Sequence, residues 1–229
     1  MAESSGEKFV TGIFVQELKN RFLCEVRINE ENVICYIPSS CRLSNFLELA
    51  GKLVLLRENT TIGSRTKYAV YAVKYGRQFI LVNLSETNRI IENEIERRFF
   101  SFLGKRKSVS HEICIDGYKS DLYIKDTRTI IEIKSILSVE RTAEFPTVYS
   151  DRAVQQLQKL SSLLESGYKV CYMFVSLNSK VESISVNHNV PEFFNVFRDC
   201  INQGMEVCAV SVKLVNHHPT IHKRIKVFY

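Results

Sequence analysis

The sequence predicts a protein of the α/β class, α+β overall, in which a small β-barrel is followed by a larger domain with a mixed sheet. Three observations lead to this prediction. Short strand patterns fill residues 9–82, a helical period begins after Asn88, and strand and helix patterns then alternate. The predicted domains are residues 1–84 and residues 85–229.

The first domain contains six segments rich in β-branched and aromatic residues, separated by polar turns. The predicted strands are 9–15, 21–28, 33–37, 52–57, 67–74 and 78–82. The only helical pattern among them is 43–49. Many short strands with one brief helix favour a Greek-key barrel of the oligonucleotide/oligosaccharide-binding (OB) type, which commonly holds single strands or phosphates.

Positive charge gathers in the second half of this barrel. Residues 59–85 contain no Asp or Glu and four cations, which are Arg65, Lys67, Lys74 and Arg77. Such a group suits a phosphate backbone, although a basic surface kept for solubility is an equal alternative. Tyr36, Tyr68 and Tyr71 are candidate stacking faces for bases, with packing inside the barrel as the favoured alternative.

The second domain is predicted to begin with an amphipathic helix over 88–102, because apolar residues recur at four-residue spacing. Ser150 is a cap candidate for a second helix that ends at Gly167. A third helix is predicted at 191–203. Strands are predicted at 121–124, 129–134, 169–175 and 205–214. This order predicts an α/β domain with a mixed sheet.

The most informative motif of the second domain is an acidic strand followed by a Glu-x-Lys strand. If Ile124 pairs with Thr129 in an antiparallel hairpin, Asp121 lies opposite Glu132, with side chains roughly 5 Å apart on one face. Lys134 shares that face by period-two alternation, while the aliphatic residues between them point toward a core. The hairpin therefore brings two carboxylates and an amine together.

Two convergent carboxylates suit a hard cation such as Mg²⁺ or Mn²⁺, and hence phosphodiester hydrolysis. Asp121 and Glu132 are the expected metal-binding residues, with Ile133 beside them, and Lys134 is expected to orient or deprotonate the attacking water. The alternative is a solvated strand face with a cross-strand salt bridge. Tyr123, on the same face, favours a partly covered cleft instead.

Two helices supply further candidates. Arg152, Gln156 and Lys159 lie on one face of the second helix, which either borders the carboxylates or faces water. Glu92, on the first helix, is a candidate carboxylate whose simpler interpretation is a solvated helix residue.

Composition excludes several classes of protein. The chain has 229 residues, 45% hydrophobic and 24% charged, with a net charge of +6, which fits a globular protein with a mild bias toward anionic partners. The seven cysteines are odd in number and scattered without a Cys-x-x-Cys pair, so they are predicted to be reduced core residues and no structural zinc is expected. Neither a signal peptide nor a membrane span is apparent, and a cytoplasmic protein is expected.

The segment 119–134 resembles the PD-(D/E)XK nuclease core, and most of the chain resembles the sugar fermentation stimulation protein A family. The residues that stand in the family's order are Asn20-Arg21-Phe22-Leu23, Ile37-Pro38, Cys41-Arg42-Leu43, Arg65, Lys67-Tyr68, Asn88, Glu92, Glu112, Glu132-Ile133-Lys134-Ser135, Ala143, Phe145-Pro146 and Arg152. The Phe-Pro and Arg block downstream of Glu-x-Lys is the most specific part.

This resemblance implies an OB-like barrel followed by a nuclease-like domain, with DNA binding of little sequence preference and divalent-metal chemistry. It implies a catalytic and metal-binding set of Asp121, Glu132 and Lys134, with Glu92 as a helper and Gln156 on the neighbouring helix. It implies nucleic-acid contacts at Arg21, Arg42, Arg65, Lys67, Lys119 and Arg152.

The chain departs from the family pattern at three positions. Lys119 replaces an Arg and loses the planar fork of a bidentate phosphate contact. Gln156 replaces a His, so it keeps hydrogen bonding but not acid–base chemistry near neutral pH. Thr147 replaces an acidic residue.

Two function classes stay open. One is a Mg²⁺- or Mn²⁺-dependent endonuclease; the other is a non-catalytic, regulatory DNA-binding protein that retains the nuclease scaffold. The intact carboxylates favour the nuclease, because without a cation they would repel a polyanion. The expected partner is nucleic acid, DNA more than RNA, with no membrane and with a homodimer left open.

Overall fold

A computed structural model of the protein describes residues 8–39, 42–61 and 63–229. It divides into two compact units. The first comprises the described residues up to Glu86 together with Lys213–Pro219, and the second comprises Thr87–Val212 and Thr220–Tyr229. The return of a late segment to the first unit was not predicted from the sequence.

The first unit is built from six strands: β1 Phe9–Glu17, β2 Leu23–Ile28, β3 Glu31–Tyr36, β4 Leu53–Glu58, β5 Tyr68–Tyr75 and β6 Gln78–Leu81. They form a sheet in the order β3-β2-β1-β4-β5-β6, and a β3–β5 pairing, Tyr36 with Ala69, closes it into a barrel. All the predicted strands are present. The predicted helix at 43–49 is a single 3₁₀ turn, Leu43–Asn45.

Close packing inside the barrel explains a glycine in β1. A Cβ atom on Gly12 would lie 2.6 Å from the Val26 side chain and 2.9 Å from the Arg27 carbonyl oxygen of β2. Only a residue without a side chain permits this approach of two backbones.

The second unit contains helices α1 Thr87–Glu94, α2 Asp151–Glu165 and α3 Pro191–Asn202. Its strands are β7 Val109–His111, β8 Cys114–Ile115, β9 Tyr118–Lys119, β10 Leu122–Ile124, β11 Thr129–Ile136, β12 Thr142–Phe145, β13 Lys169–Ser176, β14 Ser183–Val186, β15 Glu206–Val215, β16 His218–Arg224 and β17 Lys226–Phe228. The central sheet has the order β16-β15-β13-β11-β10-β7, with β11, β13 and β15 parallel to one another and β10 antiparallel to β11. The predicted mixed sheet is confirmed.

One face of this sheet is covered by α2 and α3. Leu157 and Leu160 of α2 and Phe197 of α3 join Ile130 and Phe174 of the strands in one buried cluster. Ser150 caps α2 as predicted, accepting a hydrogen bond from the Ala153 N–H. This packing fixes α2 against the strand that carries the Glu-x-Lys motif.

The predicted helix over 88–102 is wrong in its extent. The α-helix ends at Glu94, and a 3₁₀ segment, Arg98–Leu103, follows. The Arg106 side chain donates to the carbonyl oxygens of Ile95 at 2.6 Å, Glu96 at 3.2 Å and Arg97 at 3.0 Å. A guanidinium thus takes the carbonyls that a continuous helix would have bonded to its own N–H groups.

The cysteines of the described residues are free thiols. Cys24, Cys35, Cys171 and Cys200 are buried as predicted, but Cys114 is exposed, because alternation along β8 places Ile115 in the core and Cys114 on the opposite side. Cys41 lies outside the described residues. No helix in the described part of the chain has the length and apolar content that a bilayer crossing requires.

Candidate active site

The β10–β11 hairpin has the predicted register. Ile124 pairs with Thr129, and Leu122 pairs with Ile131. One step further along the hairpin, the Ile133 N–H donates to Asp121 Oδ2 at 2.7 Å, which holds this carboxylate against β11. The polar residues of the motif therefore meet at the end of β10, as the alternation of side chains required.

Glu132 is the buried centre of the site, with 3% of its surface exposed. The Tyr118 hydroxyl donates to its Oε2. The Lys134 ammonium donates to its Oε1 at 2.6 Å and to Gln156 Oε1 at 2.8 Å. A polar chain from β9 through β11 to α2 thus fixes the carboxylate, and the solvated cross-strand salt bridge considered above is absent.

Asp121 lies beside this chain with both carboxylate oxygens engaged. Oδ1 accepts from Asn88 Nδ2 at 2.9 Å, and Oδ2 accepts from Ile133 as described. Burial, followed by the negative charge of Glu132, raises the pKa of Asp121 to about 6 even though its hydrogen bonds act in the opposite direction. Negative charge at this point is therefore incompletely compensated by the protein.

A cavity of about 350 Å³ opens onto both carboxylates. Its lining residues are Glu112, Tyr118, Lys119, Ser120, Asp121, Glu132, Arg152, Gln156 and Lys159. The α2 face of Arg152, Gln156 and Lys159 thus borders the carboxylates. Arg152 and Lys159 are exposed and have no ion-pair partner among the described residues, so they are available to an anion in the cavity.

The oxygen donors at this site fit a hard divalent cation. Carboxylates are ligands that Mg²⁺ and Mn²⁺ prefer, and a cation would offset both the burial and the negative charge of Glu132 that raise the pKa of Asp121. Within the described ranges, no group of three or more His, Cys, Asp or Glu side chains is arranged around one point. The candidate ligands are therefore the carboxylates of Asp121 and Glu132, which line the cavity. The part in metal binding predicted for Ile133 stays a prediction.

The structure does not bring Glu92 into the cavity lining. Its carboxylate lies 3.0 Å from His111 Nδ1, on the neighbouring strand β7. Asn88, one helical turn earlier, occupies the place beside Asp121. Helix α1 therefore contributes an amide where the sequence predicted a carboxylate.

Lys119 is placed at the cavity but is not free. Its ammonium lies 2.6 Å from Glu112 Oε2, in a salt bridge that is exposed on both sides. A phosphate contact at Lys119 would have to compete with Glu112, so this predicted nucleic-acid contact is already neutralised in the structure.

Tyr118 was missed by sequence reasoning. It is 4% exposed and lies on the two-residue strand β9, too short for a periodic signal. Burial, with the charge of Glu132 next, raises the pKa of its hydroxyl, which therefore stays a proton donor to Glu132. Its position three residues before Asp121 was the only available signal.

On the barrel, the predicted contacts divide into exposed and structural residues. Arg65 and Lys67 are exposed, and the Lys67 ammonium lies 5.2 Å from the Tyr68 ring centre. Arg42 instead donates to the Leu18 and Lys19 carbonyls at 3.4 and 3.1 Å, so it shapes the loop before β2. Tyr71 is 2% exposed and packs inside the barrel.

Arg21 is part of an exposed aromatic group. Its guanidinium carbon lies 4.8 Å from the centre of the Phe22 ring. The Phe22 and Tyr36 rings are stacked, with centres 6.5 Å apart and planes inclined by 23°. Phe22 is a surface residue that sequence reasoning did not single out, because an isolated Phe at a strand boundary normally indicates a core position.

The fold and the site define a chain with an OB domain followed by a sheet domain that carries a buried carboxylate centre. Comparison with protein families matches residues 18–82 to the "SfsA N-terminal OB domain" and residues 85–218 to the "Sugar fermentation stimulation protein RE domain". The chain therefore belongs to the sugar fermentation stimulation protein family, as the resemblance predicted.

Relatives in this family align along most of the chain. A sugar fermentation stimulation protein homolog of Carboxydothermus hydrogenoformans is 28% identical over 210 residues, covering 90% of each chain. A homolog of Methanococcoides burtonii is 29% identical over 201 residues, covering 82% of this chain and 80% of its own. The structure of Pyrococcus furiosus SfsA in complex with Ca²⁺ matches with a TM-score of 0.83 at 18% identity, covering 100% of this chain and 98% of that one. This last similarity shows a shared fold.

Proposed function

We propose that the protein is a divalent-metal-dependent nuclease that hydrolyses phosphodiester bonds in nucleic acid with little sequence preference. One observation carries the proposal. The buried Glu132 is fixed between Tyr118 and Lys134, beside Asp121, in a cavity that also presents Arg152 and Lys159.

In this proposal, Asp121 and Glu132 hold the cation. When bound, Mg²⁺ or Mn²⁺ would supply activation of water and stabilisation of charge on the phosphate oxygens. Tyr118 and Lys134 fix the orientation of Glu132 through both of its oxygens. Lys134, whose ammonium also donates to Gln156, orients the attacking water.

The cations of α2 bind the substrate. Arg152 and Lys159 line the same cavity as the carboxylates and lack ion-pair partners among the described residues, so a phosphate would satisfy both. The structure of the Pyrococcus furiosus relative in complex with Ca²⁺ supports the binding of a divalent cation by this fold. The OB domain supports nucleic acid as the substrate.

A second candidate function is a DNA-binding protein without catalysis. One observation favours it: all four oxygens of Asp121 and Glu132 already accept hydrogen bonds. A cation would have to share or displace some of these donors.

Cleavage of end-labelled single-stranded, duplex and hairpin oligonucleotides, with Mg²⁺, Mn²⁺ or a chelator, decides between the two. The wild type is expected to cleave only with metal, and Glu132→Gln to lose roughly 10²- to 10⁴-fold in rate. Glu165→Gln, an exposed glutamate at the end of α2, is the matched control. Equal cleavage by wild type and Glu132→Gln would disprove the site, whereas binding without cleavage under any metal would establish the second candidate.

A further inference from the structure

The exposed rings of Phe22 and Tyr36 form a surface that the cleavage site does not explain. Phe22 is 36% and Tyr36 38% exposed, and the two stack on one another at the side of the barrel where β2 and β3 pair. The exposed part of each side chain contributes nothing to folding, since burial of apolar area is the stabilising term. A contiguous exposed aromatic surface indicates a ligand.

The backbone that presents Phe22 is fixed on both sides. Its N–H donates to Asn20 Oδ1 at 3.1 Å, and its carbonyl oxygen accepts from the Ile37 N–H at 2.8 Å. The preceding turn is closed by a hydrogen bond from Leu18 to Leu23 at 2.9 Å, and Arg42 holds its carbonyls. These hydrogen bonds fix the backbone of the loop from which the Phe22 ring projects.

The loop that carries Phe22 also carries two cations. Arg21 lies over the Phe22 ring, and Lys19 belongs to the same loop. On the other side, the pairing of Tyr36 with Ala69 at the barrel closure places Tyr36 beside the strand that begins with Tyr68, where Lys67 lies over that ring. An aromatic ring and a cation are thus in contact at each of these two positions, Phe22 with Arg21 and Tyr68 with Lys67.

We propose that this aromatic platform, consisting of Phe22 and Tyr36 with Arg21, binds unpaired nucleobases, and that the ligand of the barrel is single-stranded nucleic acid. The proposal rests on the proposed function in taking nucleic acid as the ligand, and it adds which form is bound. Every base has a flat face that stacks on an aromatic ring without regard to sequence, while the cations contact the backbone. In a duplex the base faces are covered by neighbouring base pairs, so the rings have nothing to stack on.

Binding of three labelled 20-residue ligands tests the platform: oligothymidylate, a duplex of the same length, and an abasic strand that keeps the phosphates but lacks bases. The wild type is expected to bind oligothymidylate most tightly. Phe22→Leu keeps apolar bulk but removes the ring face, and Tyr36→Leu does the same. Each is expected to weaken oligothymidylate binding roughly 5- to 100-fold, leaving the abasic strand and the duplex unchanged.

Phe22→Trp, which keeps a stacking face, is expected to retain binding. Phe228→Leu, which removes an exposed ring on β17 in the second unit, is the control. Equal affinity of the wild type for oligothymidylate and duplex, or no effect of Phe22→Leu, overturns the proposal. So does loss of a wild-type dimer in Phe22→Leu with unchanged binding, because the rings would then be a self-association surface.

The two proposals fail separately. If cleavage requires both metal and Glu132 but single strand and duplex bind equally, the platform proposal is disproved and the nuclease proposal stands. If oligothymidylate binding depends on the rings but no cleavage occurs, the platform proposal stands and the nuclease proposal is disproved.

Discussion

The carboxylate cavity of the second unit and the aromatic platform of the first unit differ in the exposure of their central side chains. In the cavity, Glu132 is buried and both of its oxygens are bonded to neighbouring side chains. On the platform, Phe22 and Tyr36 remain exposed and the nearest cation lies over a ring. A buried charge is tolerated only when partners fix it, and a fixed carboxylate suits the proposed chemistry. Rings that stay partly exposed remain accessible to a ligand, which suits the proposed binding.

The substitution Lys134→Met is expected to separate the two regions most, because it should lower the cleavage rate without changing oligonucleotide affinity. The substitution keeps the aliphatic stem but removes the ammonium that bonds Glu132 and Gln156. Single-turnover cleavage is expected to fall roughly 10²- to 10⁴-fold, while oligonucleotide affinity measured by anisotropy stays within about twofold. Lys180→Met, at an exposed position, is the control; a variant at Lys134 that cleaves like the control would end the assigned role.

Tyr118→Phe sharpens the comparison, since it keeps the buried ring and removes only the hydroxyl bonded to Glu132. A carboxylate that loses its orienting partner is expected to bind Mn²⁺ roughly 10-fold more weakly. Titration calorimetry with Mn²⁺ measures this, with Tyr168→Phe as the control because that residue packs on Tyr123 outside the cavity lining. Unchanged Mn²⁺ affinity would show that Tyr118 serves packing alone.

Asp121→Asn tests the charge of the cavity without metal. Because the pKa of Asp121 is raised to about 6, folding favours its neutral form, and this contribution to stability is lost as pH rises from about 4 through 6. In chelator, the Asn variant is expected to be more stable than wild type at pH 7.5 by roughly 1–3 kcal/mol in urea unfolding, with the difference vanishing near pH 4.

Asp126→Asn provides a control of opposite sign. The hydrogen bond from the Ser108 N–H lowers the pKa of Asp126, so its charged form supports the fold above the usual carboxyl range and the Asn variant should lose stability there. A wild type that is as stable as Asp121→Asn at every pH would contradict the raised pKa of Asp121.

The smallest effect is expected on the barrel from the double change Arg65→Ala with Lys67→Ala. Both side chains are exposed, so the fold should be unaffected. If each neutralises one phosphate, the slope of log affinity against log salt should fall by roughly 1.5. Anisotropy at several salt concentrations measures it, and a slope equal to that of Lys180→Ala would remove these residues from the binding surface.

The hairpin of the site could be predicted from sequence because a period of two and one assumed pair, Ile124 with Thr129, determine which side chains share a face. The partners of that hairpin could not. Tyr118 lies on a separate two-residue strand, and Asn88 reaches Asp121 from helix α1. The end of α1 was missed for the same reason, because Arg106 bonds the main-chain carbonyls that follow it. Such contacts depend on three-dimensional packing, which leaves no periodic trace.

The three-strand sheet of β12, β14 and β17 escaped prediction for a related reason. Its strands have only four, four and three residues and come from distant parts of the chain. By contrast, the six barrel strands follow one another in sequence, and each carries enough β-branched residues to be recognised.

The assignment of Lys213–Pro219 to the first unit has a practical consequence for dissecting the protein. No cut at one peptide bond separates the units, because the chain leaves the first, enters the second, and visits the first again before it ends. A fragment beginning after Asn88 would also lose the amide that bonds Asp121. Point substitutions in the intact chain are therefore the means of testing the proposed binding and the proposed cleavage separately.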